Sequence, residues 1–176
     1  LKADDLNQYS ELVASVGMPI PEGIVIATGI FDQLTVEVKF EEPSEEIEKH
    51  ECPDFLLTIN ADVLDRMEVG KPYAIRSSAL SERGGTGIYK STFFLPTGNK
   101  TQDLKNLWRC ELAVYASEFT HDAMLWRERN KAPIGMAILI QPVVGFRFED
   151  NFLPGLAGTA YTSYNGLPTI RVVIGL

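Results

Sequence analysis

Two cysteines and two histidines in 176 residues leave little for thiol or metal chemistry. Cys52 and Cys110 form no C-x-x-C pair and stand in no Cys/His cluster, so neither a structural zinc site nor a disulfide framework is indicated. Reduced thiols in a cytoplasmic protein are the expectation. His50 and His121 sit in polar surroundings, and no serine or cysteine nucleophile is arranged around either. No apolar run approaches the roughly 20 residues that span a bilayer. No basic-then-apolar segment opens the chain, so a membrane partner is not expected. Positive charge is scarce too: 16 Lys and Arg stand against 24 Asp and Glu, a net charge of −8. That argues against nucleic acid, because phosphate backbones reward a basic face. A small anionic ligand stays open, since a few local cations outvote distant carboxylates where water is thinned.

What is present is a globular composition, 45% hydrophobic and 23% charged, able to bury a real core. The length suits one ordinary domain or two small ones. The last residues, "IRVVIGL", read as an apolar strand, whose open edge would be a pairing hazard. The expectation is a piece of a longer protein.

Leu6, Tyr9, Leu12, Val13 and Val16 recur at helical spacing, with Asp4 and Asp5 in the first turn, where the helix dipole favours anions. Gly17 ends that helix, and the prolines of "MPIPEG" forbid another. Ile24-Val25-Ile26 reads as a buried strand. Residues 30–40 are divided: Phe31-Asp32-Gln33-Leu34 suits a helical turn, while 35–40 alternates like a strand. Residues 41–51 are an acidic run, read as a solvated helix after Pro43. Residues 61–67 read as a short helix closed by Gly70. Residues 73–77 and 91–95 read as strands around a glycine loop.

Residues 101–129 are the longest helical region. Leu104, Leu107, Trp108, Leu112, Tyr115 and Phe119 form its apolar stripe. A break is expected at 117–120, with Thr120 capping a second helix. Residues 136–140 read as a buried strand running into Gln141-Pro142-Val143-Val144. Residues 151–154 read as a loop. Residues 158–161 and 169–174 read as paired strands around Tyr164-Asn165-Gly166. The pattern is α+β, with helices in blocks.

The densest chemistry lies in "KPYAIRSSALSERGGTGIYKSTFFL", residues 71–95. Arg76 presents a planar fork suited to phosphate oxygens, and Ser77 and Ser78 add donors at what reads as a strand end. Glycines at 84, 85 and 87 let backbone N–H groups approach an anion. The loop is neither a Walker loop nor G-x-G-x-x-G. Taken alone, Arg76 better suits a carboxylate at a sheet edge, and the loop better suits a plain hairpin tip. Gln141 follows four apolar residues, where a half-buried amide needs partners such as an adenine edge. "GTAYT", residues 158–162, is a second small-residue hairpin.

Five stretches in order, "GMPIPEGIVIATGIFDQ", "YAIRSSALSERGGTGIYKST", "ASEFTHDAMLWRERN", "MAILIQPVV" and "AGTAYTS", resemble the N-terminal nucleotide-binding region of phosphoenolpyruvate synthase and pyruvate phosphate dikinase. Glucan water dikinases and rifampicin phosphotransferase share that region. The resemblance runs from about Gly17 to Leu176. It implies part of an ATP-grasp-like domain with a mixed or antiparallel sheet and packed helices. In that family ATP lies between two subdomains, and its phosphate passes to a histidine on a mobile domain and then to pyruvate. The implied ATP contacts are Arg76 and Ser77, Gly85 and Gly87 in the covering loop, Gln141, and Gly158 and Thr159 in a second phosphate-facing loop. Lys2 matches an upstream ATP-binding lysine, with Leu6 four residues later, but the glycine pair usual before that lysine is missing.

By the same resemblance the Mg²⁺ ligands, a second arginine and the phosphohistidine lie beyond Leu176. The implied partners are a nucleotide and the mobile phosphohistidine domain, and this chain alone holds half of a cleft. The chain also departs from the family. Glu82-Arg83 replaces a frequent acidic pair, Lys90 a frequent Asp, and the region between Gly29 and Lys71 is shortened. These departures keep a second reading: a regulatory or binding domain that kept the fold and lost the chemistry.

Overall fold

Side chains alternate along residues 73–79: Tyr73, Ile75 and Ala79 are buried, and Arg76 between them is exposed. That is the period of a strand with one face on a core. The computed structural model describes residues 22–37, 50–81, 87–148, 151–153, 156–164 and 167–174. In it this stretch is the strand β2 (Tyr73–Ala79), which lies between two antiparallel neighbours, β3 (Ser91–Phe94) and β4 (Met136–Pro142). A short strand β1 (Ile24–Ile26) pairs antiparallel with the far side of β4, giving the order β1-β4-β2-β3.

Four α-helices occur among the described residues: α1 (Thr28–Glu37), α2 (Asp54–Asp65), α3 (Lys100–Ala116) and α4 (His121–Asn130). Phe31 and Leu34 of α1, Leu56 and Val63 of α2, and Leu107, Trp108, Leu112 and Tyr115 of α3 share one core with Ile75, Ile138 and Ile140 of the sheet. The expected stripe of the long helix therefore packs on the sheet as its period requires.

α3 starts where local chemistry says it should. The Asn99 side chain accepts from the Gln102 N–H at the N-cap. Asp103, buried in the first turn, accepts from the N–H groups of Thr97 and Gly98, at 3.0 Å and 2.9 Å, and from the Thr97 hydroxyl at 2.8 Å. Asp103→Ala strips the partners from two backbone donors at once. The expected loss is about 2–3 kcal/mol, with Asp103→Asn recovering part of it. Urea midpoints of the three proteins check this, and an Ala variant within 0.5 kcal/mol of wild type, roughly the spread of neutral surface changes, would refute it.

A 3₁₀ turn (Ser117–Phe119) breaks the helical region at the expected place, and Thr120 caps α4 by accepting from the Ala123 N–H.

Four sequence expectations differ from the structure. Residues 35–37 continue α1, because the apparent alternation counted Val36, which is 85% exposed and faces no core. The helix expected over 61–67 runs over Asp54–Asp65 instead, hidden by the polar Asn60 in the middle of its buried stripe. Ile24-Val25-Ile26 is an edge strand, with Val25 38% exposed. Asn151–Leu153, read as a loop, is a strand paired with Phe146–Phe148, since backbone pairing overrides the turn preference of Asn151. The expected helices over 3–16 and 41–51 lie outside the described residues, except for His50 and Glu51, which are not helical.

The chain divides after Pro142 into two units. The second unit contains β5 (Phe146–Phe148) paired with β6 (Asn151–Leu153), and β7 (Leu156–Tyr164) paired with β8 (Leu167–Ile174), all antiparallel. The second hairpin is the one expected around residues 164–166. Among the described residues no helix is long and apolar enough to cross a membrane.

Candidate functional site

The pleat gives the four-stranded sheet a second face, away from the shared core. Arg76 is opposite Leu139 on β4 and Ser91 on β3. One row along, Ala74 is opposite Gln141 on β4 and Phe93 on β3. Val25 of β1 is opposite Leu139. Residues directly opposite share a face, so Val25, Leu139, Arg76 and Ser91 form one row, and Gln141, Ala74 and Phe93 the next.

Arg76 and Gln141 are thereby diagonal neighbours, at about 7–8 Å between Cα atoms by sheet geometry. Two of the residues that the sequence singles out for a nucleotide meet on one surface. Arg76 is exposed, and among the described residues it enters no salt bridge. Gln141 is half-buried. Its position is tightly set on one side: a Cβ at Gly23 would lie 3.2 Å from Gln141 Cγ and 3.0 Å from Leu139 Cδ1. A side chain at position 23 would need these two neighbours to give by a few tenths of an ångström.

The serines divide. Ser77 is opposite Ile138, on the core-facing side, whereas Ser78 is opposite Ala137 and shares the face of Arg76. Of the two hydroxyls, register puts only Ser78 beside the guanidinium's surface. All three residues lie inside β2 rather than at its end, because pairing with β4 continues to Ala79 opposite Met136.

The residues flanking the glycine loop are tied to each other. Ser81 and Tyr89, both buried, join through their hydroxyls across its two ends. Trp126 Nε1 donates to the Ser81 carbonyl at 3.3 Å, tying Ser81 to α4. Gly87 is exposed with φ +83°, a left-handed conformation that suits glycine. Gly85 lies outside the described residues, as does Lys2. Gly158 and Thr159 sit on β7 in the second unit, opposite Val172 and Arg171.

Both thiols are held above their ordinary value. Burial, then the charges of Glu111 and Asp54, push Cys52 up to about 12. Burial is also the main cause that raises Cys110. Among the described residues no three His, Cys, Asp or Glu side chains gather as a metal site.

Two features were not singled out by sequence reasoning. Phe93 on the Arg76 face is 73% exposed. The signal was available: in a strand, the doublet Phe93-Phe94 must send one ring to each face, and Phe94 is the buried one. The other feature is Glu111, wholly buried on α3 and bonded to Asn60 of α2 at 2.7 Å. A lone Glu in a helix carries no sequence mark of burial. Neither a scan of protein-family models nor a search of curated proteins finds a match for this chain.

Proposed function

We propose that this chain supplies the ATP-binding surface of a phosphotransferase similar to phosphoenolpyruvate synthase, and that its four-stranded sheet belongs to an ATP-grasp-like subdomain. The observation that carries the reading is the register that puts Arg76 and Gln141 on one face of that sheet, as diagonal neighbours. The residues present fit a nucleotide. The guanidinium offers a planar donor fork for phosphate oxygens. The Gln141 amide offers both an acceptor and donors for a base edge. Gly87 permits backbone to approach the phosphates closely. Bound ATP would supply the transferable phosphoryl group; the chain's own task is to bind and orient it. The described residues offer no ligand set for Mg²⁺. Ser77, turned to the core side, is the weakest member of the set, and Ser78 replaces it as the nearby hydroxyl.

Losing a charge-assisted hydrogen bond typically costs about 1.5–3 kcal/mol. Calorimetric titration of ATP into the full-length protein should therefore show Arg76→Ala binding roughly tenfold to a hundredfold more weakly than wild type. Equal affinities would remove Arg76 from the site. The same preparation separates the two readings of the family. ATP-dependent labelling of a histidine supports the phosphotransferase, and ATP binding without label supports the regulatory domain.

A further inference from the structure

We propose that the pocket between α2, α3 and residues 50–52 binds a small organic monoanion with an apolar body, at a site separate from the Arg76 face. The proposal does not rest on the ATP-binding reading: α2 and α3 pack on the core side of the sheet, and Arg76 stands on the other. The pocket has a volume of about 500 Å³, within the usual range of small-molecule sites, roughly 300–1,000 Å³. Leu57 of α2 and Leu104 and Trp108 of α3 supply its apolar lining, and Lys105 and Arg109 of α3 supply positive charge.

The period of α3 sorts that lining. Residues four apart share a helix face, so Leu104 and Trp108 form an apolar row with the cationic row of Lys105 and Arg109 beside it. Like charges at that spacing repel, and no carboxylate stands three or four residues from either on α3. Among the described residues neither cation enters a salt bridge. Both are exposed, at the rim of the pocket. An anion between them would replace repulsion by attraction. Glu51 is the carboxylate among the described lining residues. Two cations against one carboxylate leave a single positive charge, which a monoanion balances. The other walls ask for no polar partner. Trp108 Nε1 already donates to the His50 carbonyl at 2.7 Å, which leaves the carbon atoms of its ring for a ligand. Burial keeps the Cys52 thiol neutral. Leu57 is 38% exposed, apolar surface that an apolar body would remove from water.

Two fluorescent probes test this on the full-length protein. Anilinonaphthalene sulfonate is a flat apolar monoanion, and phenylnaphthylamine is the same body without the charge. Wild type should bind both. Lys105→Gln with Arg109→Gln should weaken the sulfonate about tenfold, roughly threefold for each ion pair at a wet rim, and leave the neutral probe unchanged. Leu57→Asp should weaken both probes, because it sets a charge in the apolar wall. The two cations are exposed, so their double variant tests the site without disturbing the core. The proposal is overturned if wild type binds neither probe, or if the cation variant holds the sulfonate as wild type does. Unchanged binding of both probes to Leu57→Asp overturns it too, since the probes then sit elsewhere. ATP should bind the cation variant as it binds wild type; weakened ATP would make the pocket part of the nucleotide site and end its separate role. If wild type binds the probes and not ATP, the reading of Arg76 fails and the pocket stands.

Discussion

Glu111→Gln is expected to make the protein more stable than wild type at pH 8 and no more stable at pH 4. Burial pushes the Glu111 carboxyl from 4.5 up to about 8, against a smaller opposing effect of the Asn60 hydrogen bond. Glu111 Oε2 accepts from Asn60 Nδ2. Glu111 Oε1, Asn60 Oδ1 and the Tyr115 hydroxyl find no hydrogen-bond partner among the described residues. Two unpaired acceptors on groups already bonded to each other cannot join unless one carries a proton, and a neutral carboxyl carries it. Tyr115 gives no competing charge, since burial, and then Glu111, hold its hydroxyl well above its ordinary value. Cys52, whose Sγ is 4.0 Å from Asn60 Nδ2, is likewise neutral.

The folded state therefore keeps a proton that the unfolded chain releases near pH 4.5. Its stability is whole below about pH 4.5. It falls by on the order of 1 kcal/mol per pH unit as pH rises toward about 8, and levels off above. Glutamine cannot ionise, and it offers an amide N–H where the acid offers O–H. The gap between the two proteins should open across that window to several kcal/mol. Urea unfolding of both proteins from pH 4 to pH 9 measures it. Parallel stability curves would show that the folded and unfolded states hold the same number of protons at position 111, and the argument would fall.

Arg127→Ala should cost about 3–5 kcal/mol, the usual loss when one partner of a buried ion pair is removed. The Arg127 guanidinium lies 3.2 Å from Glu118 Oε1, with the two side chains 12% and 0% exposed. It also donates to the Glu118 backbone carbonyl. Glu118 Oε1 accepts from the Gly135 N–H at 3.4 Å as well. One carboxylate in the 3₁₀ turn thus ties α4 to the segment entering β4. Removing the cation takes this ion pair from a carboxylate that is wholly buried, which costs more than losing a wet surface pair. A neutral replacement of both partners, Glu118→Gln with Arg127→Met, should recover part of the loss, because it removes the buried charge together with its partner. A single variant that loses less than 1 kcal/mol, about what an exposed pair is worth, would place the pair in effective contact with water.

Local signals carry a good deal of this protein. Thr120 caps α4, and the stripe Leu107, Trp108, Leu112 and Tyr115 packs on the sheet, because capping and helical period act within a turn or two of chain. The hairpin of β7 and β8 is legible for the same reason. Where the local signal is mixed, tertiary contacts decide. Val36 imitates a strand and belongs to a helix surface, and Asn60 interrupts the stripe of a helix that is nonetheless buried.

The candidate site divides along the same line. Residue types alone single out Arg76 and Gln141, since a guanidinium and a half-buried amide each need a partner. That they share a face, that Ser78 rather than Ser77 joins them, and that Phe93 stands beside them all follow from the register of β2 with β4 and β3. A slip of one residue would send each to the other side. Register is set by long-range pairing over the core formed by Ile75, Ile138 and Ile140, so no window of sequence around Arg76 contains it. The burial of Glu111 and Glu118 is decided in the same way: the helical period names a face, and only the packing of α2, α4 and the sheet determines which polar positions on α3 and the turn after it lose their water.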